Sequence, residues 1–156
     1  MKSKIQLSAL QLLIISFLSS TTWSACSIRP ITHAELSDSS VDIIYTLGHN
    51  QHRFTAESHS GKFVARTFLD KKLLDENAVD SLNYYDFVHK ASNFMGDRRR
   101  VASVNNAESL ASCRAPYTVV IRLSGDAKTY QGCRSIDDGN LSRLVRDGEF
   151  LLYSKK

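Results

Sequence analysis

The sequence predicts an α+β fold: an antiparallel sheet of about five or six strands, with one long amphipathic helix and one short helix. Three observations predict it. Short runs of β-branched and aromatic residues, some with alternating apolar and polar positions, are separated by turn residues, as in antiparallel hairpins. Over residues 75–95 the apolar period changes to steps of three and four, as on one helix face. Strands come in runs and do not alternate with helices, as a parallel sheet would require.

Val41 to Leu47 is rich in β-branched and aromatic residues and reads as the first strand. Gly48-His49-Asn50-Gln51 supplies turn chemistry. Arg53 to Glu57 alternates around Phe54 and Ala56, and Ser58 to Gly61 turns again. Lys62 to Phe68 alternates as a third strand. From Asp75 to Met95 the apolar positions are Val79, Leu82, Tyr85, Val88, Ala91 and Met95. Asp75 suits the N-cap of that helix and Gly96 its stop. Residues 101–112 carry only a weak pattern. Tyr117 to Leu123 is a strong strand, Ser124 to Ala127 a turn, and Lys128 to Gln131 the return strand. Asp137-Asp138-Gly139 opens the short helix, with Leu141, Leu144 and Val145 on one side. Gly148 ends it, and Glu149 to Tyr153 reads as a last strand.

The first residues stand apart. Lys2 and Lys4 precede an uncharged stretch, Ile5 to Leu18, dominated by Leu, Ile and Ala. Small polar residues follow. This order is that of a secretory signal peptide over residues 1–25. The run is too short for a stable membrane anchor, which needs roughly 20 apolar residues. Cleavage after Ser24 places the small residues Thr22 and Ser24 where the peptidase wants them, and the mature chain then starts at Ala25. The stretch Trp23 to Cys26 also resembles the end of a bacterial lipobox, which implies a lipid on Cys26; Trp23 stands where that motif has an aliphatic residue. Residues 26–40 read as a flexible N-terminal arm, and 41–156 as a single domain, since no long linker or repeat divides them. The expected location is outside the cytoplasm: periplasmic, attached to the outer membrane, or secreted. Membrane contact is expected only through a lipid on Cys26.

The whole chain of 156 residues has a formal charge of +4, of which Lys2 and Lys4 supply two, so the exported part carries +2. That balance gives no general nucleic-acid surface. Export also sets the thiol chemistry. Cys113 and Cys133 flank what reads as a hairpin and are expected to pair. The bridge closes a loop worth roughly 3 kcal/mol in chain entropy. Pairings of Cys26 with either one stay open. No Cys-x-x-Cys spacing supports a thiolate metal site.

Few residues carry a chemical signature. His49, His52 and Glu57 could ligate zinc or copper if they converge. His59 lies at the far end of the same strand, roughly 20 Å away at strand rise. His89 reads as an edge residue of the long helix. No Gly-x-Ser-x-Gly elbow, His-Glu-x-x-His or phosphate-binding glycine loop occurs. No residue can be given a catalytic role, and no cofactor is implied. Arg98-Arg99-Arg100 offers guanidinium groups to an anionic partner. Asn140-Leu141-Ser142 matches the glycosylation triplet. The expected role is therefore a non-enzymatic binding or cell-envelope accessory protein that contacts a protein or wall polymer. The alternative is a small secreted hydrolase or metal-binding protein using the His49/His52 region.

Overall fold

The computed structural model describes residues 31–96 and 112–153. It is an α+β fold with one six-stranded antiparallel sheet, as the strand runs predict. The elements in chain order are α1 (His33–Leu36), β1 (Ser39–Leu47), β2 (Asn50–His59), β3 (Lys62–Leu69), β4 (Lys72–Ala78), α2 (Ser81–Gly96), β5 (Pro116–Leu123), β6 (Asp126–Cys133) and α3 (Arg134–Tyr153). The sheet order is β4-β3-β2-β1-β5-β6. β1 is thus central, although it comes first.

Tight turns set this meander. The Ser60–Gly61, Asp70–Lys71 and Ser124–Gly125 turns each have positive φ at both central residues. That conformation matches the twist of the flanking strands, and glycine takes it at no steric cost at Gly61 and Gly125. Asp70 closes its end of the sheet twice: its N–H donates to the Gln51 carbonyl, and its carboxylate accepts from the Gln51 N–H, both at 2.8 Å.

One face of the sheet is the core. Val41 and Ile43 of β1, Phe54 and Ala56 of β2, Ala65 of β3, Tyr117, Val119 and Ile121 of β5, and Tyr130 of β6 are buried. They share a face because the registers pair Ile43 with both Phe54 and Val119, and Val41 with both Ala56 and Ile121. α2 and α3 cover this face. Phe87 meets Phe54 edge-on at 5.4 Å, and Phe94 meets Tyr130 at 5.8 Å. Leu141, Leu144, Leu151 and Leu152 of α3 are buried in the same core. At the lower end, the Tyr84 hydroxyl donates to the Ser39 carbonyl at 2.8 Å, and Ser39 Oγ donates to the Leu36 carbonyl at 3.0 Å. Burial above all pushes the Tyr84 phenol up to about 12.

Three elements differ from the sequence reading. Residues 72–78 form edge strand β4, so Asp75 is a strand residue and not the helix N-cap that the sequence suggests. Tertiary pairing wins there: the Glu76 carboxylate accepts from Arg66 on β3, and the Asn77 amide donates to the Leu152 carbonyl. The N-cap of α2 is Asp80, whose carboxylate accepts from the Asn83 N–H at 3.0 Å. Its buried stripe is Tyr84, Phe87, Val88, Ala91 and Phe94, and Leu82 is 76 % exposed. Finally, Glu149 to Tyr153 is helical. Gly148 does not end the helix; it is the contact point with β2. A Cβ there would come within 2.8 Å of the Phe54 ring.

Residues 33–36, in the segment read as an arm, form a one-turn helix. Thr32 and Glu35 cap it reciprocally, and Leu36 is buried. Among the described residues no helix is long and apolar enough to cross a membrane.

Candidate functional site

The second face of the sheet carries the ordered polar chemistry. The strand registers fix it as a grid, read across β4, β3, β2, β1, β5 and β6. The upper row is Leu73, Phe68, Arg53, Ile44, Thr118 and Gln131. The middle row is Glu76, Arg66, Thr55, Asp42, Val120 and Thr129. The lower row is Ala78, Val64, Glu57, Ser40, Arg122 and Ala127. Each strand supplies alternate residues, because successive side chains point to opposite faces.

Two ion-pair groups organise the β1–β4 side. Arg53 donates to both oxygens of Asp42, at 2.9 and 2.7 Å, and its guanidinium lies 5.7 Å from the Phe68 ring centre. Arg66 donates to Glu57 at 2.8 Å and also to Glu76. Hydrogen bonding to Asp42 raises the Arg53 pKa, and hydrogen bonding to Glu76 and Glu57 raises that of Arg66, in each case against partial desolvation. The two carboxylates sharing Arg66 leave that group with one negative charge in excess. At the other side of the face, exposed Arg122 has no ion-pair partner among the described residues. Between them lies Thr55, 3 % exposed, whose hydroxyl has no hydrogen-bond partner among the described residues.

A second exposed feature lies at the β4 edge. Of the six exposed large apolar side chains among the described residues, Leu73 and Leu74 are on β4, Leu82 is in the first turn of α2, and Phe150 and Tyr153 are in the last turn of α3. The Asn77–Leu152 bond ties that last turn to β4. The sixth, Leu47, lies at the end of β1.

The residues singled out in the sequence separate. His52 is on the core side of β2, stacked on Tyr45 at 5.1 Å. Glu57, five positions on, is on the open face with Arg66. His49 is exposed in the β1–β2 turn, and His59 is exposed 3.8 Å from Asp38. An odd spacing along a strand sends His52 and Glu57 to opposite faces, so they cannot share an ion. Among the described residues no group of three His, Cys, Asp or Glu side chains is placed to hold a metal. His89 is an exposed residue of α2, and Asn140 an exposed residue of α3.

Cys113 and Cys133 are joined, with Cα atoms 5.7 Å apart, fastening the segment before β5 to the end of β6. Cys26 and Arg98 to Arg100 lie outside the described residues. The alternation of Arg53, Thr55 and Glu57 with Phe54 and Ala56 is the signal that could have found the open face. It gives the face but not the pairing, because partners lie on other strands.

The fold and this face define a two-layer α+β domain with helices on one side of its sheet and the other side free of packed elements among the described residues. No family model, curated protein or solved structure matches the chain.

Proposed function

We propose that the chain is an exported, non-enzymatic binding or envelope accessory protein, and that it contacts a protein partner through the open face of its sheet. One observation carries the reading. The strands devote one face to the core and hold on the other a fixed set of guanidinium and carboxylate groups among half-buried Ile44, Val64, Phe68 and Val120. Arginine and apolar side chains interleaved in this way suit a protein interface. The aromatic ring of this face among the described residues, Phe68, lies beneath Arg53 and offers no bare platform for a wall polymer to stack on. Export is supported by the charge, apolar run and small residues of 1–25, and by the Cys113–Cys133 bridge, which persists in oxidising compartments. A lipid on Cys26 would hold the domain at a membrane surface. The Arg98–Arg100 run would add an anionic contact.

A photo-crosslinking residue at Thr118 or Thr129, compared with one at Lys90 on α2, tests the surface in intact cells. A specific adduct from the two sheet positions and none from Lys90 supports the reading. Equal labelling, or none, overturns it. Mass spectrometry of the same chain should find a start at Ala25 or a lipid-modified Cys26; an intact Met1 in an exported fraction defeats the leader.

A further inference from the structure

We infer that the open face pairs with a second copy of this chain, sheet against sheet, across a twofold axis running along β1. This rests on reading that face as the contact surface and names its occupant.

The charge layout is self-complementary. Glu57 on β2 and Arg122 on β5 lie in the same row, one strand to either side of β1. A twofold axis along β1 keeps each row in place and exchanges its two sides. It therefore sets Glu57 of one copy against Arg122 of the other, twice, as an isologous contact requires. The acid excess of the Glu57–Arg66–Glu76 group then meets the cation that has no ion-pair partner among the described residues. Both carboxylates remain about half exposed, at 47 % and 50 %, and so are available to a second guanidinium.

The neighbours fit the same axis. Ile44 meets Ile44 of the second copy, Thr55 meets Val120, and Val64 meets Ala127. Asp42 faces its own copy, but Arg53 holds both its oxygens and its side chain is only 13 % exposed. With the axis on β1, five strands of each copy overlap and β4 lies outside; strands about 4.8 Å apart, at about 3.4 Å per residue, make that overlap roughly 19 by 24 Å. Two such faces bury roughly 900 Å², the size of a weak, reversible contact. Aligned sheets pack about 10 Å apart, a separation that arginine and glutamate span together.

Sedimentation equilibrium of the purified, disulfide-intact chain tests this. The wild type should be dimeric at about a hundred micromolar, as a contact of this size allows. Arg122→Glu should weaken it by about a hundredfold or more, since symmetry repeats the like-charge contact. Glu57→Arg should do the same. The two variants mixed should form a one-to-one heterodimer, and the double variant in one chain should dimerise again. Thermal unfolding of each variant confirms that it is folded; if Glu57→Arg is not, Arg122→Glu alone decides. A wild-type monomer at hundreds of micromolar overturns the inference, as does a dimer indifferent to Arg122→Glu. A dimer dissolved instead by Leu74→Lys or Leu82→Lys runs through the β4 edge and also overturns it. A monomer that still crosslinks a different protein at Thr118 leaves the binding role standing without the pairing.

Discussion

Phe54 and Thr55 are neighbours in the chain and live in different chemistries. Phe54 faces α2 and α3, meets Phe87 edge-on and fills the space left by Gly148. Thr55 faces the other way, between Arg66 and Asp42. The inner face is held by apolar burial, worth about 1.5–3 kcal/mol for each large side chain. The outer face is held by partly exposed ion pairs, each worth about 1 kcal/mol or less. Stability is thus concentrated on one face, and the other can be spent on recognition. That division predicts very different penalties for substitutions one residue apart.

The largest penalty belongs to the inner face. Phe54→Ala should cost about 3–5 kcal/mol in denaturant unfolding, because it removes a fully buried ring and leaves a cavity under Gly148 and Phe87. Arg53→Ala and Thr55→Ala, on either side, should each cost about 1 kcal/mol or less. Equal costs at the three positions would erase the distinction between faces. Next comes the bridge. Cys113→Ser with Cys133→Ser should lower stability by roughly 3 kcal/mol, the entropy of a loop of about 20 residues. The loss should disappear when the wild type is compared in its reduced form. A chain indifferent to reduction would show that the β5–β6 end is held by packing, including the Tyr117 ring that lies against Gly132.

The faces also explain how far the sequence can be read. Period-two alternation exposes β1, β2, β3 and β5, since each has one apolar side. β4 is illegible by that rule, because as an edge strand it buries almost nothing and carries Asp75, Glu76 and Asn77, which serve pairing and the tie to Leu152. Gly148 misleads for a related reason. Its missing side chain makes room for Phe54, a partner 94 positions away in the chain, which no local rule contains. The open-face site is half legible. Which residues face outward follows from parity; that Arg66 bridges Glu57 and Glu76 follows only from strand order.

Tyr84 tests the inner face by pH. Its phenol donates to the Ser39 carbonyl, and burial raises its pKa from 10.0 to about 12. Folding therefore favours the neutral form. In the unfolded chain the group ionises near 10, so its contribution is whole below that pH and is lost as pH rises toward 12. The loss over this window should be roughly 2–3 kcal/mol. Tyr84→Phe should cost about 1 kcal/mol at neutral pH for the lost hydrogen bond. It should also flatten the alkaline fall, so that the variant becomes the more stable chain near pH 12. Parallel pH profiles for the two would mean that the tyrosine is hydrated in the folded state.

The smallest effect is the sharpest test of the outer face. The Thr55 hydroxyl is buried without a partner among the described residues, in the middle of a surface otherwise organised by ion pairs. Such a group carries its desolvation cost uncompensated. Thr55→Val keeps the shape and the strand preference and removes that cost, so it should raise stability by a few tenths to about 1 kcal/mol in unfolding experiments. In the paired sheets Thr55 lies over Val120 of the second copy, and the added methyl should leave dimerisation unchanged or tighten it. If valine instead lowers stability, water reaches the hydroxyl and satisfies it. If valine leaves the fold intact but weakens association, the hydroxyl bonds to the partner, and the twofold axis cannot run along β1.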